Sequence, residues 1–400
     1  MSAPNIQMPR ITQKETTFFN RVNQSRIVQM IQAGRNPELL SRISPSYFNI
    51  DITWRCNNNC RGCIDATAVR RKVDQPDSEL DMSWEMCQDL LSYAKDNSML
   101  GAIIQGGEPL LHPRIDDFLH ACVDANLVLR MVTNGTKISE HADAIVAAFA
   151  AERKCTFRVS VNTDEAHYAD FVRRSSADLS QVISGIRTLT SRGVPVVAST
   201  VYFGENFSGD GAPENISQLS RIGELVAGAG VFKWLILPGR DPVTKGPVPL
   251  TKSEMEVVDG LPGEIGGTKV VKADRHQLER QMPAAAQNKD YSPCPASLLR
   301  VVVGSNGNLY SCTEHIGDER AIVGRIAPPE VTFSSVWHSI DRVKRQLAFD
   351  PRRECASITC DRYGINSTID TARDGYAKFG CPSIIAHLLK DHDYTSDLFF

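Results

Sequence analysis

From Tyr47 onward the chain alternates short β-branched, apolar runs with longer segments whose apolar residues recur at helical spacing. No other feature limits the fold as strongly. Strands are expected at 47–53, 101–105, 128–132, 156–161, 194–202 and 232–237, with helices at 83–96, 114–125, 139–151, 179–192 and 216–229 between them. Such alternation argues for parallel βαβ units with right-handed crossovers. Six units in about 190 residues approach the unit length of a (β/α)8 barrel, and stopping at six leaves the barrel laterally open. The expected fold class is therefore α/β: a partial (β/α)6 TIM-like barrel, with chemistry at the C-terminal ends of its strands.

The flanks read differently. Residues 1–45 form a polar lead-in with one helix over 15–32, whose Phe18, Phe19, Val22, Ile27, Val28 and Ile31 make an apolar face that would cap the barrel, 46–240. Residues 241–290, rich in Pro, Gly and charge, read as a linker or substrate-facing loop. Residues 291–400 read as a small C-terminal α+β domain. Strands at 300–303 and 308–312 flank Gly304-Ser305-Asn306-Gly307, a hairpin signal, and are followed by a helix over 331–347 and a cysteine-bearing loop over 351–366.

Hydrophobic content of 42% suffices for a sizeable core, and a net charge of -3 offers no global basic field for nucleic acid. No apolar run approaches the roughly 20 residues needed to cross a bilayer, and Met1 to Lys14 lack the apolar core of a signal peptide. A cytoplasmic protein is expected. There, eleven cysteines are not a disulfide framework. Cys87, Cys122 and Cys155 stand singly in apolar stretches and read as core. The other eight gather at 56, 60 and 63 and at 294, 312, 355, 360 and 381, a pattern that points to metal.

Cys56, Cys60 and Cys63, spaced C-x3-C-x2-C, directly follow the first strand. Thiolates are the usual ligands of iron–sulfur clusters. Structural zinc favours paired C-x2-C units with a fourth ligand. Only one such unit is present, so the spacing favours a cubic cluster held by three thiols, with one iron left for a small molecule. Other strand ends agree. The second ends in Gly106-Gly107-Glu108-Pro109, whose glycines expose backbone groups along which an ammonium and a carboxylate could lie. The third ends in Asn134-Gly135-Thr136 and the fourth in Ser160-Val161-Asn162; short polar side chains at alternate positions suit ribose hydroxyls.

These motifs resemble those of the radical S-adenosylmethionine (SAM) superfamily. The cysteine motif matches at Cys56, Cys60 and Cys63 and the GGE motif at Gly106-Gly107-Glu108. One departure is Gly62, where the family usually has an aromatic residue that meets the adenine. The resemblance covers roughly residues 47–240. It implies a 4Fe-4S cluster whose fourth iron chelates SAM, reductive cleavage of SAM, and hydrogen abstraction by a 5'-deoxyadenosyl radical. It places Gly106, Gly107 and Glu108 at the methionyl end, with Asn134, Ser160 and Asn162 also at the cofactor. Arg173 or Arg174 would reach the SAM carboxylate or face solvent.

The later cysteines resemble the SPASM/twitch extension of the same superfamily. That implies a second, auxiliary 4Fe-4S cluster on Cys294, Cys312, Cys355 and Cys360. Cys381 is an alternative ligand, a hydrogen-donating catalytic thiol or a buried thiol. Glu314 and His315, beside Cys312, read as solvated or as an acid–base pair, and His112 as an ordinary loop histidine. The expected substrate is a small natural-product intermediate undergoing dehydrogenation, epimerisation or carbon–carbon bond formation, because the lead-in is short for a peptide-recognition domain. A peptide-modifying maturase is the alternative. A flavodoxin- or ferredoxin-like donor would supply electrons. Readings from other classes are an iron–sulfur scaffold or electron carrier, which would not cleave SAM, and a structural zinc protein, which would hold no sulfide.

Overall fold

The six expected strands pair in parallel and in chain order: β1 (Tyr47–Thr53), β2 (Gly101–Gly106), β3 (Val128–Thr133), β4 (Thr156–Ser160), β5 (Val196–Tyr202) and β6 (Lys233–Pro238). The computed structural model describes residues 13–63, 80–150, 155–173, 178–207, 214–241, 248–272, 294–355, 360, 363–380 and 385. Helices cross between the strands at Trp84–Asp96, Ile115–Asp124, Ala142–Phe149, Leu179–Ser191 and Leu219–Gly228. Their apolar stripes and the outward side chains of the strands make the main core. Phe48, Ile50 and Ile52 of β1, Phe157 and Val159 of β4 and Trp234 and Ile236 of β6 belong to it. Burying each such side chain contributes about 1.5–3 kcal/mol. Cys87, Cys122 and Cys155 are buried in it as well. Burial pushes the Cys87 thiol up to about 12, which leaves it unreactive.

The sheet continues past both barrel edges. Beyond β6, a helix at Lys252–Gly260, started by a Thr251/Glu254 capping box, leads into the hairpin β7 (Glu264–Ile265) and β8 (Thr268–Lys272), and β8 pairs parallel with β6. Gly266 and Gly267, both at positive φ, form the two-residue turn. Beyond β1, β9 (Arg300–Val303) pairs parallel and carries β10 (Asn308–Tyr310) and β11 (Ile322–Arg325) in antiparallel. One eleven-stranded, unclosed sheet results, and it runs across the boundaries expected at 240 and 290.

A second core lies at the N-terminal ends of β1 and β2. There Ile27, Met30 and Ile31 of the helix Gln13–Ala33 meet Tyr47, Leu100, Leu299 and Ile369. Arg26 pins the helix, donating to Ser46 Oγ at 3.0 Å and to the Asn97 carbonyl at 3.0 Å. This packing covers the N-terminal ends of those strands. The helix expected over 331–347 is in fact two, Phe333–Trp337 and Ile340–Ala348, because Ser339 caps the second by accepting from the Arg342 amide at 3.1 Å. The expected loop over 351–366 contains a helical turn at Pro351–Glu354 and the start of the helix Tyr363–Phe379. Among the described residues, no helix is long and apolar enough to cross a membrane.

Candidate active site

Cys56, Cys60 and Cys63 lie on the loop that leaves the C-terminal end of β1, each partly accessible. The loop is held by its neighbours on every side. Arg55 forms a two-pronged pair with Asp81 (3.0 and 2.8 Å), and Asp81 also accepts from Thr53 Oγ1 at 2.6 Å. The Asn59 and Arg61 amides donate to the carbonyls of Val172 and Phe171. Asn57 donates to Thr136 Oγ1 and accepts from Asn134 Nδ2, both at 2.8 Å. Asn134 Nδ2 also lies 4.0 Å from Cys56 Sγ, which accepts from the Asn58 amide at 3.4 Å. Asn134 therefore ties the cysteine loop to β3. The Arg55–Asp81 brace was not legible in the sequence, because its partners are 26 residues apart with no motif between them.

Gly106 and Gly107 are glycines for a steric reason. A Cβ at Gly106 would stand 2.1 Å from the Thr53 carbonyl oxygen, and one at Gly107 would stand 2.1 Å from that of Arg55. The Gly107 and Glu108 amides donate to these same carbonyls at 2.8 and 2.7 Å. These amides are spent on the backbone just before Cys56. Glu108 is fully buried behind them. It accepts from Thr133 Oγ1 (2.6 Å), the Asn134 amide (2.6 Å) and the Leu110 amide (3.1 Å). Burial raises its carboxyl above the ordinary range, and those three hydrogen bonds pull the other way. Its carboxylate locks the glycine turn to β3.

His112 is buried too. Its Nε2–H donates to the Met82 carbonyl at 2.9 Å, and Nδ1 accepts from the Arg114 amide at 3.2 Å. Desolvation lowers its pKa below 6.5, so the folded state keeps it neutral while the unfolded chain takes up a proton below that pH. Its contribution is full above pH 6.5 and is lost as pH falls through the lowered value. We expect H112Q to flatten the fall in stability between pH 7 and 5, read by denaturant melts at each pH.

At the end of β4, Ser160 is partly exposed and sits level with Ser199 of β5. Asn162 Oδ1 accepts from the Val201 amide at 2.9 Å, so half of this amide joins β4 to β5. Arg173 ends a short helix in left-handed conformation and is partly buried. The departure at Gly62 has a structural counterpart. Gly62 sits at φ +70°, and a Cβ there would come within 2.8 Å of the Phe203 ring and 3.2 Å of the Phe207 ring. These two rings, 4.5 Å apart, fill the place where a side chain at 62 would go. Sequence reading missed them; the only signal was two aromatics just past β5. Gly62→Ala is expected to cost about 1–3 kcal/mol, from positive φ and overpacking. F203L should restore part of it in denaturant titrations.

Three of the later cysteines, Cys294, Cys312 and Cys355, lie around the turn after β10. Burial pushes the Cys294 thiol up to about 11, and nearby Cys312 pushes the same way. Asn366 donates to Cys294 Sγ at 3.3 Å and accepts from the Ala296 amide. His315 lies 3.4 Å from Cys355 Sγ. Glu314 pairs with Arg240 at 3.0 Å, joining the end of β6 to the Cys312 turn. Neither Glu314 nor His315 is solvated: the turn packs them inward, at 15% and 7% side-chain exposure. Cys360 is partly exposed, and Cys381 lies outside the described residues.

The donor set at this loop is three thiols, the usual ligands of iron–sulfur clusters, and the amide donated to Cys56 Sγ is the kind of contact that tunes a cluster. A laterally open barrel with three thiols at one strand end and a glycine turn locked beneath them defines a class. Residues 50–209 match the Radical SAM superfamily, and this part of the chain is a radical SAM domain. The cofactors of that family are SAM and a 4Fe-4S cluster.

The GTP 3',8-cyclase of Campylobacter fetus is 28% identical over 158 residues, 39% of this chain and 46% of that protein, so the match spans about half of the relative's length. The mycofactocin maturase MftC of Mycobacterium ulcerans is 21% identical over 326 residues, 80% of this chain and 81% of the relative. Among solved structures, Streptococcus suis SuiB bound to its precursor peptide SuiA shares the fold (TM-score 0.53, 16% identity, 76% of this chain and 67% of that one).

Proposed function

We propose that this chain is a maturase-type radical SAM enzyme that abstracts a hydrogen atom from a peptide substrate at the barrel mouth. The observation that carries the radical chemistry is the braced loop of Cys56, Cys60 and Cys63 above the locked Gly106-Gly107 turn. The peptide reading draws its support from MftC, whose similarity covers 80% of this chain and so extends past the barrel. It replaces the small natural-product intermediate as the leading substrate class.

In this reading Cys56, Cys60 and Cys63 hold the SAM-binding cluster. Bound there, the cluster and SAM supply a carbon radical that takes hydrogen from an unactivated C–H bond. The protein's own part is placement. Glu108 and Asn134 fix the cysteine loop against β3, Ser160 and Asn162 offer polar groups at the end of β4, and the Phe203–Phe207 pair gives an apolar wall beside Gly62. Cys294, Cys312, Cys355 and Cys360 would hold the auxiliary cluster, with Cys381 as the alternative ligand or thiol donor. Asn366 and His315 are positioned to hydrogen-bond its sulfurs.

Anaerobic reconstitution with iron and sulfide, then dithionite and SAM, is expected to release 5'-deoxyadenosine. Deuterium from a labelled peptide should enter that product. Clusters without 5'-deoxyadenosine would instead mean a scaffold or electron carrier.

A further inference from the structure

The inward side chains of the barrel carry a charge imbalance that none of these roles uses. Along β4, Phe157 and Val159 pack into the helix-side core, so strand alternation turns Arg158 into the lumen. Its side chain is partly accessible there, but its Nε is fully enclosed and has no hydrogen-bond partner. Burial alone lowers the guanidinium to about 10, with no neighbouring charge offsetting it. The same register level runs through Val197 to Lys233 and on to Lys269. Trp234 and Val270 belong to the helix-side core, which turns both lysines the way Arg158 points. Lys233 is itself lowered, first by burial and then by Lys269.

On the opposite wall, Asp51 accepts from Trp54 Nε1 (3.3 Å) and Gln105 Nε2 (3.1 Å). One level deeper on β1, Asn49 is fully buried with both side-chain amide atoms unpaired. A desolvated guanidinium without a counter-charge is unfavourable, and such groups concentrate where a ligand supplies the missing charge.

We propose that Arg158, with Lys233 two strands away at the same level and the exposed Lys269 on the strand after that, binds an anionic group of the substrate, a carboxylate or a phosphate, inside the barrel. A guanidinium fork matches either oxyanion with two parallel hydrogen bonds. Ser160 lies two residues further along the same strand, about 7 Å nearer the mouth. An anion anchored at Arg158 therefore fixes how deep the substrate enters and which C–H bond reaches the strand ends. This deepens the function proposed above and rests on it for the identity of the anion's bearer.

The test is thermal unfolding of anaerobically purified, iron-loaded protein in succinate or inorganic phosphate, against chloride at equal ionic strength. Wild type should show a saturable rise in Tm with at least one anion. R158M should unfold at a higher temperature than wild type in chloride, having lost a desolvated charge, and should show no anion-dependent rise. K233M should keep the rise at a several-fold higher half-saturating concentration. A response to succinate alone assigns a carboxylate, and one to phosphate alone a phosphate. The proposal is overturned if R158M melts lower with the rise intact, if neither anion gives an Arg158-dependent rise, or if saturating SAM abolishes the rise, since Arg158 would then hold the cofactor's own carboxylate. None of these readouts needs turnover, so absence of SAM cleavage would sink the proposed function and leave this site standing.

Discussion

Replacing Cys56, Cys60 or Cys63 singly by alanine is expected to abolish SAM cleavage while leaving the fold in place. The loop does not depend on its thiols for shape. Its course is fixed by the Asn59 and Arg61 amides, by the Arg55–Asp81 pair and by the Asn57–Asn134 contact. Each thiol is partly exposed, so in iron-free protein its removal should change stability by no more than about 0.5 kcal/mol. Iron held at the loop should fall sharply. The loss of activity should exceed the roughly 10–100-fold typical of changes behind a metal's ligands. Cys294→Ala should behave differently, keeping SAM cleavage while impairing product formation. Iron content and 5'-deoxyadenosine yield, with the denaturant midpoint taken on the same samples freed of iron, separate these outcomes.

Gly107→Ala is expected to damage the same site by a different route. A methyl group there meets Arg55 O at 2.1 Å, Arg55 C at 2.6 Å and Trp54 O at 2.9 Å, all backbone atoms that no rotamer change can move. The β2 end must lift from the β1 end. It then loses the bonds from the Gly107 amide to Thr53 (2.8 Å) and from the Glu108 amide to Arg55 (2.7 Å). Overpacking and two lost hydrogen bonds together come to about 2–6 kcal/mol. Gly193→Ala is the control. Gly193 sits at φ +82° with nothing within 4 Å of a Cβ, so its cost is dihedral only, about 1 kcal/mol. Equal losses in the two variants would contradict the packing account of the GGE turn. The expected result is a larger loss at 107, with reduced iron at the cysteine loop.

Much of this was legible in the sequence because it rests on local pattern. The β1 to β6 boundaries follow from apolar runs bounded by Gly and polar residues, and the cysteine spacing is a property of one short loop. What escaped depends on contacts between distant segments. The Gly-Gly turn was legible as a site feature, but the fate of its amides depends on how closely β1 approaches β2. Gly62 read as a missing aromatic; Phe203 and Phe207, more than a hundred residues later, occupy that space. The β7–β8 hairpin carried a Gly266-Gly267 turn signal, but two residues of β7 are too short to show a period. The break at Ser339 was masked by continuous helical spacing on either side. Arg158 shows no signal of its own, since an arginine in a short strand reads as surface until the strand's two faces are known.

In the proposed function, three protein thiols at the end of β1 hold a four-iron cluster with one iron left to SAM. Mössbauer spectroscopy on protein reconstituted with iron-57, in a background lacking Cys294, Cys312 and Cys355, addresses it most directly. One cluster per chain is expected, in which a single iron site changes its signal when SAM is added. A cluster whose four irons are alike and indifferent to SAM, or a loop that retains no iron, would contradict it.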